Sequence, residues 1–266
     1  MNGILYGVGT GPGDPELMTL RAVRLIRENA VIACAGKDAR ASLAYRIALQ
    51  AVPELADKTI LSIDMPMTRD RDILIQSHRV GADLIESHLK VGKNVVFLTL
   101  GDPTIYSGFS YLQKLVTADG FPTETVSGVT SFCAAAASLN LPLVTGEESL
   151  CILPAAQDSV LGNLSAAEAP DAPAADGISC TPVGAEAPDA PAAESISCTP
   201  ASADTLLLMK AGRAPGTLAE RLRSAGYDVS MVENCGLAEE KLYREAESIP
   251  EHAGYFSLMI AKRTRG

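Results

Sequence analysis

Short apolar runs that end in glycine- and proline-rich loops, each followed by an amphipathic helix, recur along the chain and constrain its fold more than any other feature. Residues 4–8 read as a buried strand, then a Gly/Pro loop, then a capped helix with Leu17, Leu20, Val23, Leu25 and Ile26 on its apolar face. Strands follow at 31–35 and 59–63, with a helix at 42–49 between them. The spacing of Ile73, Val80, Leu84, Ile85 and Leu89 predicts a long amphipathic helix over 70–90, ahead of a strongly apolar strand at 94–100. A loop and helix at 101–116, a strand at 123–126 and an alanine-rich helix at 131–139 complete the first half. The second half offers strands at 150–153, 205–209, 229–233 and 255–261 and a helix at 217–225. Such alternation is the mark of α/β architecture. A boundary within 141–146 divides the chain into two α/β domains, 1–143 and 144–266.

The second domain is interrupted at about 163–203 by an internal repeat: 167–175 recurs as 185–193, each copy followed by Ile-Ser-Cys-Thr-Pro. This stretch of Ala, Pro and acid lacks the bulky apolar residues that would offset its ordering entropy, so it reads as an extended or disordered insertion dispensable for chemistry. The six cysteines, Cys34, Cys133, Cys151, Cys180, Cys198 and Cys235, form no C-x-x-C pair, and His78, His88 and His252 sit in polar surroundings. No metal site is expected. A net charge of −10 spread along the chain argues against nucleic acid. Without a basic, apolar leader or a run long enough to span a bilayer, the sequence reads as cytoplasmic, with no membrane partner.

Three strand-end loops can carry chemistry. The first, 7–15, is Gly-Val-Gly-Thr-Gly-Pro-Gly-Asp-Pro. It is not a dinucleotide fingerprint, because Pro12 stands where the third glycine belongs and no acid closes a second strand. Its glycines permit a tight turn and close approach of another molecule, with Asp14 available as a helix cap. The second, 100–108, places Gly101, Asp102 and Pro103 at the carboxyl end of a strand, where open α/β sheets bind ligands. Asp102 either accepts from a ligand or caps a helix. The third, 126–131, offers small hydroxyl residues that cap the following helix or meet a ligand.

In this order the loops resemble those of the tetrapyrrole methylase family, which carries G-x-G-P-G-D, G-D-P and P-G-x-[ST]-[SA] segments; the likeness spans the chain apart from the insertion. Within the family, 5–9, 64–70, 101–107 and 141–144 resemble the branch that methylates C20 of precorrin-2 or cobalt-factor II. The resemblance implies two α/β domains with S-adenosylmethionine in the cleft between them, a small-molecule tetrapyrrole substrate and a homodimer. It places Pro12, Leu100, Gly101, Asp102, Ile105, Thr130, Ser131 and Met209 at the cofactor, with Cys235 where relatives that methylate uroporphyrinogen III have a glycine. Two departures stand out. The acid those relatives carry after the second strand is missing around 34–37, which points away from uroporphyrinogen methylation, and Ser127 replaces the usual proline.

Methyl transfer from a sulfonium to an enamine-like meso carbon needs in-line positioning, with the reacting atoms about 3–3.5 Å apart, rather than a strong base. No catalytic residue is therefore assigned. Glu147 or Glu148 can accept a proton or form a solvated loop pair, and Tyr106 can stack on the macrocycle or pack in the core. Lys37, Arg40 and Arg69 can pair with substrate carboxylates. The alternatives are methylation of another tetrapyrrole position or another acceptor, and, from a different class, a module that binds these ligands without turnover.

Overall fold

The computed structural model describes residues 1–68, 70–155 and 203–264. Arg69 and the repeat insertion, with Cys180 and Cys198, lie outside the described residues. The chain forms two compact units: Met1–Ala135 with Asn234–Glu240, and Ala136–Glu233 with Lys241–Gly266. The division thus falls between 135 and 136, where the sequence pattern places it at 143, and a short segment of the second half belongs to the first unit.

The first unit is built on a sheet of five parallel strands, β1 (Leu5–Gly9), β2 (Val31–Ala35), β3 (Thr59–Ile63), β4 (Val95–Thr99) and β5 (Thr123–Val126), in the order β3-β2-β4-β1-β5. Parallel strands need apolar residues on both faces. β4 supplies them by alternation: Val96 and Leu98 enter one core with Val8, Ile26, Ile32 and Ile47, while Val95 and Phe97 enter the other with Leu5, Ile85, Leu89 and Phe109. Helices α1 (Leu20–Glu28), α2 (Leu43–Ala51), α3 (Arg71–Leu89), α4 (Phe109–Ala118) and α5 (Ser131–Leu139) connect or follow the strands.

Two helix faces differ from their sequence reading. The Thr19 hydroxyl accepts from the amide of Ala22 and starts α1 at Leu20. That phase turns Ala22, Leu25 and Ile26 inward and leaves Leu20 89% exposed, while Leu17 belongs to a short turn of 3-10 helix. In α3, capped by Asp70 through the amides of Asp72 and Ile73, the buried face is Gly81, Ala82, Ile85, Glu86 and Leu89. Ile73, Val80 and Leu84 are exposed. At about 100° per residue those three fall together on the opposite side of the helix, so its apolar residues form two stripes rather than one.

The second unit holds a mixed sheet ordered β6-β7-β10-β8-β9, from β6 (Leu150–Pro154), β7 (Thr205–Met209), β8 (Tyr227–Glu233), β9 (Lys241–Tyr243) and β10 (Ser257–Arg263). β6 and β7 run parallel and the remaining pairs antiparallel. Helix α6 (Pro215–Ser224) packs Leu218 and Leu222 with Leu206, Leu208, Tyr227, Met231 and Met259. Just before β6 and β7, the Asp204 carboxylate accepts from both the amide and the hydroxyl of Ser149, and the Asp204 amide donates back to that hydroxyl.

Phe97, 1% exposed and 6.0 Å from the Phe109 ring, lies at the centre of the second core of the first unit. Phe97→Ala is expected to destabilise that unit by about 3–5 kcal/mol, read from denaturant unfolding.

Candidate active site

β4, β1 and β5 are neighbours in the sheet, so the loops at their carboxyl ends meet. They meet backbone to backbone. The Gly101 amide donates to the Gly11 carbonyl at 2.8 Å, and a Cβ added at Gly9 would fall 2.4 Å from the Gly101 carbonyl oxygen. At Gly128 the added carbon would fall 2.2 Å from that same oxygen and 2.9 Å from the Gly9 Cα. No side chain fits at either position, which is why the loops require glycine there. The buried Thr10 ties the first loop to β4 as well, its amide and hydroxyl both donating to the Thr99 carbonyl at 2.9 and 3.2 Å.

Asp102, 7% exposed, locks the second loop to the third. Its Oδ1 accepts from the amide and hydroxyl of Thr104 at 2.8 and 2.6 Å, and its Oδ2 accepts from the Gly128 amide at 3.0 Å. Burial works against the charge, but the Thr104 hydroxyl and amide, the Gly128 amide and the Ser127 hydroxyl overcome it and hold the carboxyl below the usual carboxylate range. The carboxylate therefore holds the second and third loops together.

The other residues of the first unit singled out at the cofactor by sequence lie on these loops or beside them. Pro12 is buried, and Leu100 and Ile105 are half-buried, Leu100 against the first core. Ser131 opens α5, and the Thr130 hydroxyl is buried with no hydrogen-bond partner, the one such side-chain oxygen or nitrogen among the described residues. An unsatisfied buried hydroxyl at this loop is what a polar ligand would engage. Cys235 arrives from far along the chain: Asn234, at φ +55°, turns the strand end, and the Cys235 carbonyl lies where a Gly13 Cβ would be, at 2.4 Å. Met209, at the end of β7, belongs to the second unit, half-buried, its carbonyl accepting from the Ala155 amide at 2.8 Å.

Several candidates take other roles. Tyr106 is 53% exposed at φ +46°, so it does not pack in the core. Glu148 is no solvated base: it accepts from the Thr145 amide at 2.8 Å and pairs with Lys262 at 3.3 Å, and the Thr145 amide leads the interactions that lower its pKa. Glu147 is exposed. Arg40 donates to the Tyr45 hydroxyl and the Ala56 carbonyl, while Lys37 is exposed. His78 stacks on Tyr111 at 4.7 Å, and among the described residues no three His, Cys, Asp or Glu side chains are gathered to hold a metal. Sequence reasoning missed the hydroxyl pair Thr99–Ser107, 2.9 Å apart, in which Ser107 also accepts from the Phe109 amide to start α4. A polar residue ending an apolar strand was the available signal for that pair. Met65, singled out only as part of the segment 64–70, places its side chain where a Gly108 Cβ would be and so meets the second loop.

Residues 4–249 match the model of the tetrapyrrole (corrin/porphyrin) methylases. The chain belongs to this family. Among its relatives, a probable cobalt-precorrin-2 C(20)-methyltransferase of Methanocaldococcus jannaschii is 39% identical over 156 residues, 58% of this chain and 65% of that protein. The cobalamin biosynthesis protein CobIJ of Mycobacterium tuberculosis is 30% identical over 97% of this chain, which covers 46% of its length. The chain thus spans less than two thirds of either protein. Its fold is shared with the uroporphyrin-III C-methyltransferase of Thermus thermophilus solved with S-adenosyl homocysteine, at a TM-score of 0.61 and 21% identity over 98% of this chain and 97% of that one.

A carboxyl held below its unfolded pKa stabilises the fold above about pH 4, and that contribution is lost as pH falls through the folded value. Asp102→Asn is therefore expected to lower Tm at pH 7 and to flatten the further fall in Tm between about pH 4 and pH 2, read by thermal unfolding across pH.

Proposed function

We propose that this tetrapyrrole methylase transfers a methyl group from S-adenosylmethionine to C20 of precorrin-2 or cobalt-factor II during corrin-ring biosynthesis. The observation that carries the reading is the junction of Gly9, Gly101 and Gly128, where three adjacent strand-end loops touch backbone to backbone beside the unsatisfied Thr130 hydroxyl. It is supported by relatives named for this reaction and by a fold-mate solved with the demethylated cofactor.

When bound, the sulfonium supplies an electrophilic methyl group. This chain's part is to hold and orient. Backbone groups of Leu100, Gly101 and Ile105, with Pro12, Thr130, Ser131 and Cys235, hold the cofactor, and Met209, at the end of β7, is the remaining residue we assign to it. Asp102 keeps the loops in register and is a positioning residue. Its carboxylate and that of Glu148 are committed to internal bonds, which suits a reaction needing alignment more than proton abstraction. The exposed stripe of Ile73, Val80 and Leu84 supports a homodimer, and the cytoplasm is the compartment we assign.

Incubation with S-adenosylmethionine and either precorrin-2 or cobalt-factor II is expected to add one methyl at C20, read by mass spectrometry, and the faster substrate identifies the metal state. No methylation of either, with S-adenosylhomocysteine still bound, would sink the C20 reading. Gly128→Ala, which sets a carbon against the Gly101 carbonyl, is expected to weaken S-adenosylhomocysteine binding by at least tenfold in calorimetry, a loss of about 1.4 kcal/mol.

A further inference from the structure

Two loops of the second unit carry a cluster of rings and charges outside the junction described above. Directly after β7, Lys210 adopts φ +61°, and its Nζ lies 5.3 Å from the centroid of the Tyr255 ring. Tyr255 in turn meets Phe256 edge-on at 5.3 Å, and the two rings are 50% and 43% exposed. The loops that bear them are fastened through the backbone. The Ala211 amide donates to the Ser257 carbonyl at 2.9 Å, the Ala253 amide to the Gly212 carbonyl at 3.3 Å, and Arg213 bridges to His252. A Cβ at Gly212 would fall 2.2 Å from the Gly254 carbonyl oxygen, so the loops touch without intervening side chains.

Three properties single this face out. A lysine held in the left-handed region is disfavoured unless its surroundings impose it, and such strain gathers where a side chain must be aimed. The ion pairs among the described residues include neither Lys210 nor Arg213, although the chain carries a net charge of −10. The acids nearby in sequence are engaged elsewhere: Glu233 accepts from the Gly254 amide at 2.7 Å, and Glu251 from the Thr217 hydroxyl at 3.4 Å. Two exposed rings give a platform for a planar π system, and two cations that pair with no carboxylate among the described residues give anchors for acids at its edge.

We propose that Lys210, Arg213, Tyr255 and Phe256 form the face that recognises the carboxylate side chains and ring edge of the tetrapyrrole. The inference rests on the tetrapyrrole-methylating reading above and assigns its acid recognition to the second unit. Lys210 and Arg213 pair with peripheral acetate or propionate groups, and the rings of Tyr255 and Phe256 cover one edge of the macrocycle.

The test is titration of the full chain with uroporphyrin III, a stable tetrapyrrole octaacid, and with its octamethyl ester, followed by visible absorbance. The acid should bind in preference to the ester, with an affinity that falls as salt rises. Lys210→Gln/Arg213→Gln should weaken acid binding about tenfold and flatten the salt dependence, because charge-assisted bonds are lost. Tyr255→Leu/Phe256→Leu should weaken acid binding with the salt dependence intact. Melting temperature and S-adenosylhomocysteine affinity should not move in either variant. A wild-type chain that does not discriminate acid from ester, or a Lys210/Arg213 variant that binds the acid within twofold of wild type, overturns the proposal. Turnover is read separately: a chain that binds the acid through these residues yet methylates neither substrate overturns the C20 reading and leaves this one standing.

Discussion

The contact on which the first unit depends is the approach of three backbones with nothing between them. Gly9, Gly101 and Gly128 close the gap at the ends of β1, β4 and β5, and Asp102 fixes the spacing by taking donors from its own loop and from the third. A buried carboxylate is tolerated because its hydrogen bonds replace those of water. Rigidity at this point is inherited from the sheet, since β1 lies between β4 and β5 with both cores packed around it. The spacing of the three loops is therefore set by main chain, whose position cannot relax as a side-chain rotamer can.

The chain adds to these loop contacts from a distance. After β8, Asn234 turns the backbone and Cys235 comes to rest over Gly13, so the first unit is closed by residues translated well after its sheet. Asparagine is among the residues that enter the left-handed region most readily, which suits it to that turn. In the second unit, Lys210 and Ala214 adopt the same region with less intrinsic tolerance, holding the loop after β7 in a conformation their residue types do not favour.

Much of the fold could be read from the chain because its strands and helices carry clean periodicities. The strands at 123–126 and 205–209 and the helix at 131–139 emerge with the bounds that the pattern draws. What periodicity could not resolve was phase. In α3 the apolar residues occupy two opposed stripes, and a count of hydrophobic positions merges them; in α1 the cap at Thr19, not the apolar spacing, decides that Leu20 faces outward. β9 is three residues long, too short to show alternation. Around the junction, the identity of the loops was legible as glycine and proline at strand ends. The employment of Asp102 was not, since whether a carboxylate turns toward a ligand or toward a neighbouring amide depends on a strand order that no local window contains.

The latch between Ser149 and Asp204 has a consequence for how this chain tolerates change in length. Those two residues stand at the entrances to β6 and β7, whose parallel ladder then fixes their register pair by pair. With both ends so anchored, the sheet does not sense how many residues separate them, and closing entropy grows only with the logarithm of that number, by roughly 0.6 kcal/mol per doubling. A duplication such as the one between 167 and 193 can therefore accumulate there almost without thermodynamic opposition. The strand pair acts as a staple that makes the intervening stretch a tolerated site for drift in chain length.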